Sequence, residues 1–148
     1  MSKNKFQVWR TLLKKSEDEL SQLQSQFAKS ELGRKQIADQ KERLVRMKAE
    51  YLEEPKKRDV EIGFGHRFIL TINFINHLDK AISALNSQLA ERTSESRQLK
   101  AKCESKYRTV MKFGAMYERA VRQNRVELEK LEEKDRDSIN LSRFNAKS

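Results

Sequence analysis

Proline is almost missing from this chain: Pro55 is the only one in 148 residues, and glycine occurs four times. A sequence so poor in both cannot make the many tight turns that a sheet protein or a several-layered fold needs. Cysteine is limited to Cys103, which excludes an internal disulfide framework. The two histidines, His66 and His77, have no Cys, Asp or Glu at the spacing of a zinc site. Hydrophobic residues make up only 36% and aromatics 7%, too few for a thick globular core. No run approaches the roughly 18 apolar residues of a membrane span. The richest stretch, from Phe68 to Ile75, is interrupted at Asn73 and followed by Asn76, His77 and Asp79. No apolar segment of the kind that directs secretion follows Met1. The expectation is a soluble protein of a reducing compartment, in which the sequon Asn140-Leu141-Ser142 is fortuitous.

Catalytic constellations are lacking too. Gly63-Phe64-Gly65 has neither the further glycine nor the Lys-Ser/Thr of a phosphate loop, and no strand precedes it. Cys103 falls where a small buried hydrophobe is wanted. Carboxylates are plentiful but converge on no pocket. No enzyme, cofactor or metal is expected.

What the chain does have is charge and periodicity. Charged residues make up 36% and the net charge is +10. Residues 97–125 carry nine Lys/Arg against Glu104 and Glu118, whereas residues 127–137 carry six acids against three bases. A basic surface implies an acidic partner: a protein face, nucleic acid or anionic lipid.

With Phe6 at heptad position a, nine of the 14 a and d positions from Phe6 to Tyr51 are apolar, against about five expected from composition. Arg34, Lys41 and Lys48 occupy later a positions, so the seam is expected to narrow there or to rotate toward Val45 and Met47. Gly33 is a candidate bend. With Phe68 at a, 14 of the 22 a and d positions from Phe68 to Leu141 are apolar, against about eight expected. Residues 54–66 break the pattern: Pro55 cannot sit in a helix interior, and Gly63 and Gly65 loosen the backbone.

The periodicity therefore predicts an all-α fold: a long antiparallel two-helix coiled-coil hairpin with unequal arms, forming a single domain over 1–148. Helix 1 is expected over about 6–53, the loop over 54–66 and helix 2 over about 67–141. If Tyr51 packs near Phe68, then Ile37 lies near Ile82, Trp9 near Val110 and Phe6 near Phe113. Helix 1 is then used up near Gly114, a candidate hinge. Helix 2 continues alone for about 28 residues, roughly 40 Å, with Tyr117, Val121, Leu128 and Leu131 on one side and no internal partner. Such a stripe wants a partner. At the other end Phe64 and Phe74 lie off the seam, and with Leu44, Met47 and Tyr51 they gather apolar surface at the turnaround. That surface is either a docking tip or a plug over the helix ends.

The run Arg67-Phe-Ile-Leu-Thr-Ile-Asn-Phe74-Ile-Asn-His-Leu78-Asp-Lys80-Ala81-Ile82 resembles the start of the second helix in the FliJ family of bacterial flagellar export proteins. Arg67, Ile69, Phe74-Ile75, Leu78 and Lys80-Ala81-Ile82 match the family pattern. The injectisome relatives of the YscO type share the architecture. The resemblance implies a non-enzymatic, monomeric cytoplasmic stalk of the flagellar or type III export apparatus, peripheral to the inner membrane. It would bind the hexameric export ATPase, promote its assembly and couple it to a membrane export-gate protein, and it would bind export chaperones. The gate-facing surface would map to Gln40, Leu44, Met47, Tyr51, Phe74, Leu78, Ala81 and Leu85. Met47 stands where an aromatic is expected. Contact with the ATPase ring would fall to Trp9, Tyr117, Val121, Arg122, Arg125, Leu128 and Leu131. The rivals are a basic coiled coil that binds nucleic acid and a structural homodimer. Against the first, Lys and Arg are spread around the helix rather than along one face, so no nucleic acid is expected.

Overall fold

In a computed structural model the chain forms two α-helices, α1 over Ser2–Lys57 and α2 over Phe64–Lys147. Met1, residues 58–63 and Ser148 lie outside the described residues, and with them the middle of the expected loop. No strand occurs among the described residues. The two helices pack against each other as a hairpin of unequal arms. Neither has an acidic residue in its first turn, so the macrodipole is not what fixes where they begin. Their stability comes from the seam between them.

Contacts group the chain into two compact units. The turn unit comprises residues 24–101; the open unit comprises residues 1–23 and 102–148.

In the turn unit, every expected a and d position of α1 from Phe27 to Tyr51 is at least half-buried. Arg34, Lys41 and Lys48 are among them, while Val45 and Met47 are exposed. Of the two expected outcomes, rotation toward Val45 and Met47 does not occur. Long basic side chains hold seam positions by laying their stems along the interface and keeping their charged heads wet. Lys48 reaches Asp79 at 2.6 Å, and Arg34 pairs with Glu31 at 2.7 Å. Ser30 and Ser96 are both buried and share a hydrogen bond of 2.7 Å. On α2, Arg92 leaves the seam and Thr93 turns in. The Arg92 guanidinium lies 3.6 Å from where a Cβ on Gly33 would sit. Gly33 is thus a place where a neighbour lies over the helix, inside an α1 that runs without interruption.

The pairing differs from the expected one. Tyr51 stacks on Phe74, with ring centroids 4.5 Å apart. In the open unit Trp9 packs on Phe113 at 5.9 Å and Phe6 on Tyr117 at 5.2 Å. The cross-helix pairs put α1 residues three to eight positions further along α2 than expected. The turn is shorter than expected as well: α1 runs through Pro55 to Lys57 and α2 already begins at Phe64. Pro55 lacks the N–H that would bond the carbonyl four residues before it, and α1 ends two residues later.

The shift overturns the reading of Gly114 and Tyr117. A Cβ on Gly114 would lie 3.9 Å from Leu13, inside the packed region. Helix α2 is continuous through it. Tyr117 has an internal partner in Phe6, Ala120 is buried, and Val121 and Asn124 are half-buried. The fully exposed arm begins at Arg125, not Gly114. Residues 125–146 are all exposed, about 33 Å of helix at 1.5 Å per residue.

Among the described residues the only buried apolar side chains are Leu78 and Ala120; the other buried ones are Ser16, Ser30 and Ser96. Two helices alone leave solvent on both flanks of the seam, so large side chains are covered on one side and small ones entirely. No buried side-chain nitrogen or oxygen among the described residues lacks a hydrogen-bond partner.

Candidate functional site

The eight residues expected to face a gate all lie in the turn unit. Gln40, Leu44, Met47 and Tyr51 are spaced four, three and four apart on α1, and Phe74, Leu78, Ala81 and Leu85 repeat that spacing on α2. This spacing puts each set on one helical face. The register set by the Tyr51–Phe74 stack and the Lys48–Asp79 pair lines the rows up side by side. Gln40 is level with Leu85, Leu44 with Ala81, and Met47 with Leu78. The expected pairing would have left the rows out of step. Within the patch, Gln40, Met47, Phe74 and Ala81 are exposed, and Leu44, Tyr51 and Leu85 are half-buried. Leu78, at 6% exposure, belongs to the hairpin core. Phe74 is 37% exposed, with one side on Tyr51 and the other toward solvent. The side chain of Phe64, also expected at this end, lies outside the described residues.

The sequence reading missed the surface next to this patch. Ile69, Leu70 and Ile72 are exposed, Ile69 at 59%, as is Leu52 on α1. Phe68, expected as a seam aromatic, is exposed too. The signal was present: a helix can turn only about a third of its circumference toward one partner, so four apolar residues in the five positions 68–72 cannot all face inward. These residues add exposed apolar surface beside the two rows.

The ring-contact residues all lie in the open unit. Trp9 is half-buried against Phe113, and Tyr117 and Val121 are half-buried in the seam. Arg122, Arg125, Leu128 and Leu131 are exposed, Leu131 at 58%. Helical spacing puts Leu128 and Leu131 on the line that Tyr117, Val121 and Asn124 begin. The seam face therefore continues past the start of α1 with no described side chain of α1 over it.

Electrostatics reinforce the pairing in each unit. Lys106 donates to Glu19 across the open unit, and this bond holds the Glu19 carboxyl below the ordinary glutamate range. In the turn unit the Arg34 guanidinium does the same to Glu31, with the nearby Ser96 hydroxyl lowering it further. Arg46 lowers Glu42 within one helix face. No group of His, Cys, Asp and Glu that could hold a metal occurs among the described residues. No helix among them is long and apolar enough to cross a membrane.

A family model described as Flagellar FliJ protein matches residues 6–148. The chain belongs to the FliJ family. It is thus a coiled-coil protein related to flagellar export, in a family of structural and adaptor proteins rather than enzymes. The match spans both arms of the hairpin, where the resemblance noted above rested on the start of α2. Nothing matches among curated proteins or solved structures.

Proposed function

We propose that this FliJ-family chain is a stalk that joins a hexameric export ATPase to a membrane export gate and promotes assembly and activity of the ATPase ring. Export chaperones are further partners, and the stalk works at the cytoplasmic face of the inner membrane. The observation that carries this reading is the presence of two unlike partner surfaces, one on each unit. The turn unit presents the aligned rows from Gln40 to Tyr51 and Phe74 to Leu85, with Ile69, Leu70 and Ile72 beside them. The open unit presents an uncovered seam face at Leu128 and Leu131, with Arg122 and Arg125 next to it. The first is apolar and suits a protein gate. The second combines an apolar stripe with cations and suits the inside of a ring with acidic loops.

The test is to mix the purified protein with the cognate export ATPase and measure hydrolysis. Leu128→Glu with Leu131→Glu changes only exposed residues, so the hairpin stays folded. The double variant should lose stimulation of the ATPase. Stimulation equal to that of the unaltered protein contradicts the ring assignment. Tight duplex binding at physiological salt, with no response from the ATPase, would favour the nucleic-acid reading instead.

A further inference from the structure

A second face of the open unit is built for a helix that this chain does not supply. Lys5, Val8 and Trp9 of α1 line a groove of about 420 Å³ with Met116, Arg119, Ala120 and Gln123 of α2. A further groove of about 680 Å³ shares Arg119 and Gln123 and runs on along α2 past Val126 to Lys130. From Met116 to Lys130 the pair covers about 21 Å at 1.5 Å per residue, roughly four helical turns. Met116, Gln123 and Lys130 recur every seven residues, and Arg119 and Val126 do the same between them. That is the spacing a third helix would read along a coiled coil. This face lies about 140° round α2 from the stripe that holds Leu128 and Leu131, at 100° per residue. It shares Trp9 and Arg122 with the residues assigned to the ATPase, so the inference rests in part on that reading and adds a partner of different chemistry to the same unit.

The floor is apolar. Trp9 and Met116 are half-buried, Ala120 is buried, Val8 is 54% exposed, and Val126 is exposed as well. The rim is basic: Lys5, Arg119, Arg122 and Lys130 stand against Glu127 alone. None of these four cations is neutralised by an ion pair with a described residue. An apolar floor between unneutralised cations selects an occupant with an apolar stripe flanked by carboxylates. We infer that this groove docks an acidic amphipathic helix of a partner protein, which packs as a third strand where α1 lies beside α2 and runs on along α2 alone past Arg125.

The experiment uses the full chain and a fluorescent synthetic peptide of three heptads, with Leu at the core positions and Glu flanking them. A twin peptide has Lys in place of Glu. Anisotropy should show the Glu peptide binding, with affinity falling as salt rises, and the Lys peptide not binding. Val8→Glu with Val126→Glu alters two exposed floor residues and should weaken Glu-peptide binding at least tenfold. Lys102→Glu with Arg108→Glu removes more positive charge from exposed positions outside the groove and should weaken it less than threefold. Circular dichroism on each variant confirms that helicity is retained. Equal weakening by both pairs means diffuse attraction and overturns the proposal, as does equal binding of the Lys peptide. Duplex binding lost with the floor variants and unaffected by the Glu peptide overturns it in favour of nucleic acid. Self-association of the chain abolished by the floor variants overturns it in favour of a second copy.

Discussion

The open unit closes its seam with rings, and the turn unit closes its seam with hydroxyls and the stems of basic residues. Phe6 on Tyr117 and Trp9 on Phe113 bring two aromatic pairs together within two turns of α1. In the turn unit, Ser30 meets Ser96, Lys48 meets Asp79, and Arg34 and Lys41 take seam positions; its one aromatic pair is Tyr51 on Phe74. Both arrangements satisfy the same heptad pattern. Apolar area drives association in the first, at about 25 cal/mol per Å² buried. Polar pairing in the second adds little net energy, but it penalises any slip that would leave a buried hydroxyl alone. The open unit is thus glued and the turn unit is registered. The apolar residues the turn unit does not bury are the ones it displays, from Ile69 to Phe74.

The sharpest way to break this contrast is in the turn unit's one buried leucine. Leu78→Ala should lower stability by about 2–5 kcal/mol, read from denaturant unfolding. This makes it a poor probe of partner binding, although Leu78 belongs to the row expected to face the gate. Phe74 is better but not silent. Its stack on Tyr51 means that Phe74→Ala should cost about 1 kcal/mol from the ring pair alone. The sequence reading, which placed Phe74 off the seam, expected nearly none. Phe74→Leu keeps apolar bulk and should isolate the docking role.

The serine pair sharpens the contrast next. Ser96→Ala leaves the Ser30 hydroxyl buried without its partner and should cost about 1–2 kcal/mol. Adding Ser30→Ala should recover most of that loss, because no orphan remains. A double variant as unstable as the sum of the singles would show that the pair does not set the register.

Glycine gives a smaller effect of opposite sign. At both Gly33 and Gly114 an added Cβ makes only ordinary contact, with Arg92 and Leu13 respectively. Each Gly→Ala change should stabilise the hairpin by about 0.5–1 kcal/mol, one in each unit. A loss at Gly114 would revive its reading as a hinge.

The smallest effect is titration of Glu19. Its folded-state carboxyl sits below the unfolded value because Lys106 donates to it. The contribution is therefore complete above the unfolded value, about 4.3, and is lost as pH falls through the lower folded value. Glu19→Gln should lower the thermal midpoint at pH 7, and the difference from the unaltered protein should shrink below about pH 4. A difference independent of pH would assign the effect to packing.

The heptad positions themselves were legible in the sequence. Phe6, Trp9, Leu13 and Ser16 on α1, and Ile75, Leu78, Ile82 and Leu85 on α2, all lie inside as their spacing implies. Register was not legible, because a heptad pattern marks which residues face inward and not which layer of one helix meets which layer of the other. The pairing assumed for Tyr51 and Phe68 was off, and that error carried forward to Gly114, Tyr117 and the length of the free arm. The turn was also shorter than Pro55 and Gly63 argued, from Lys57 to Phe64. The two candidate rows were readable as residues from the family resemblance. Their alignment needed the Tyr51–Phe74 contact. The groove at Val8 and Met116 went unseen because a two-helix pattern ranks only the seam, and those residues lie outside it.

The central claim is that the two units serve different partners, and one measurement tests it directly. The chain ending at Arg125 keeps every aromatic pair and loses only the arm that is exposed throughout. It should unfold at the same denaturant midpoint as the full chain. Its binding to the purified export gate should be unchanged, while stimulation of the export ATPase should be lost. Full stimulation by this folded, shortened protein, or loss of both activities together, would contradict the account.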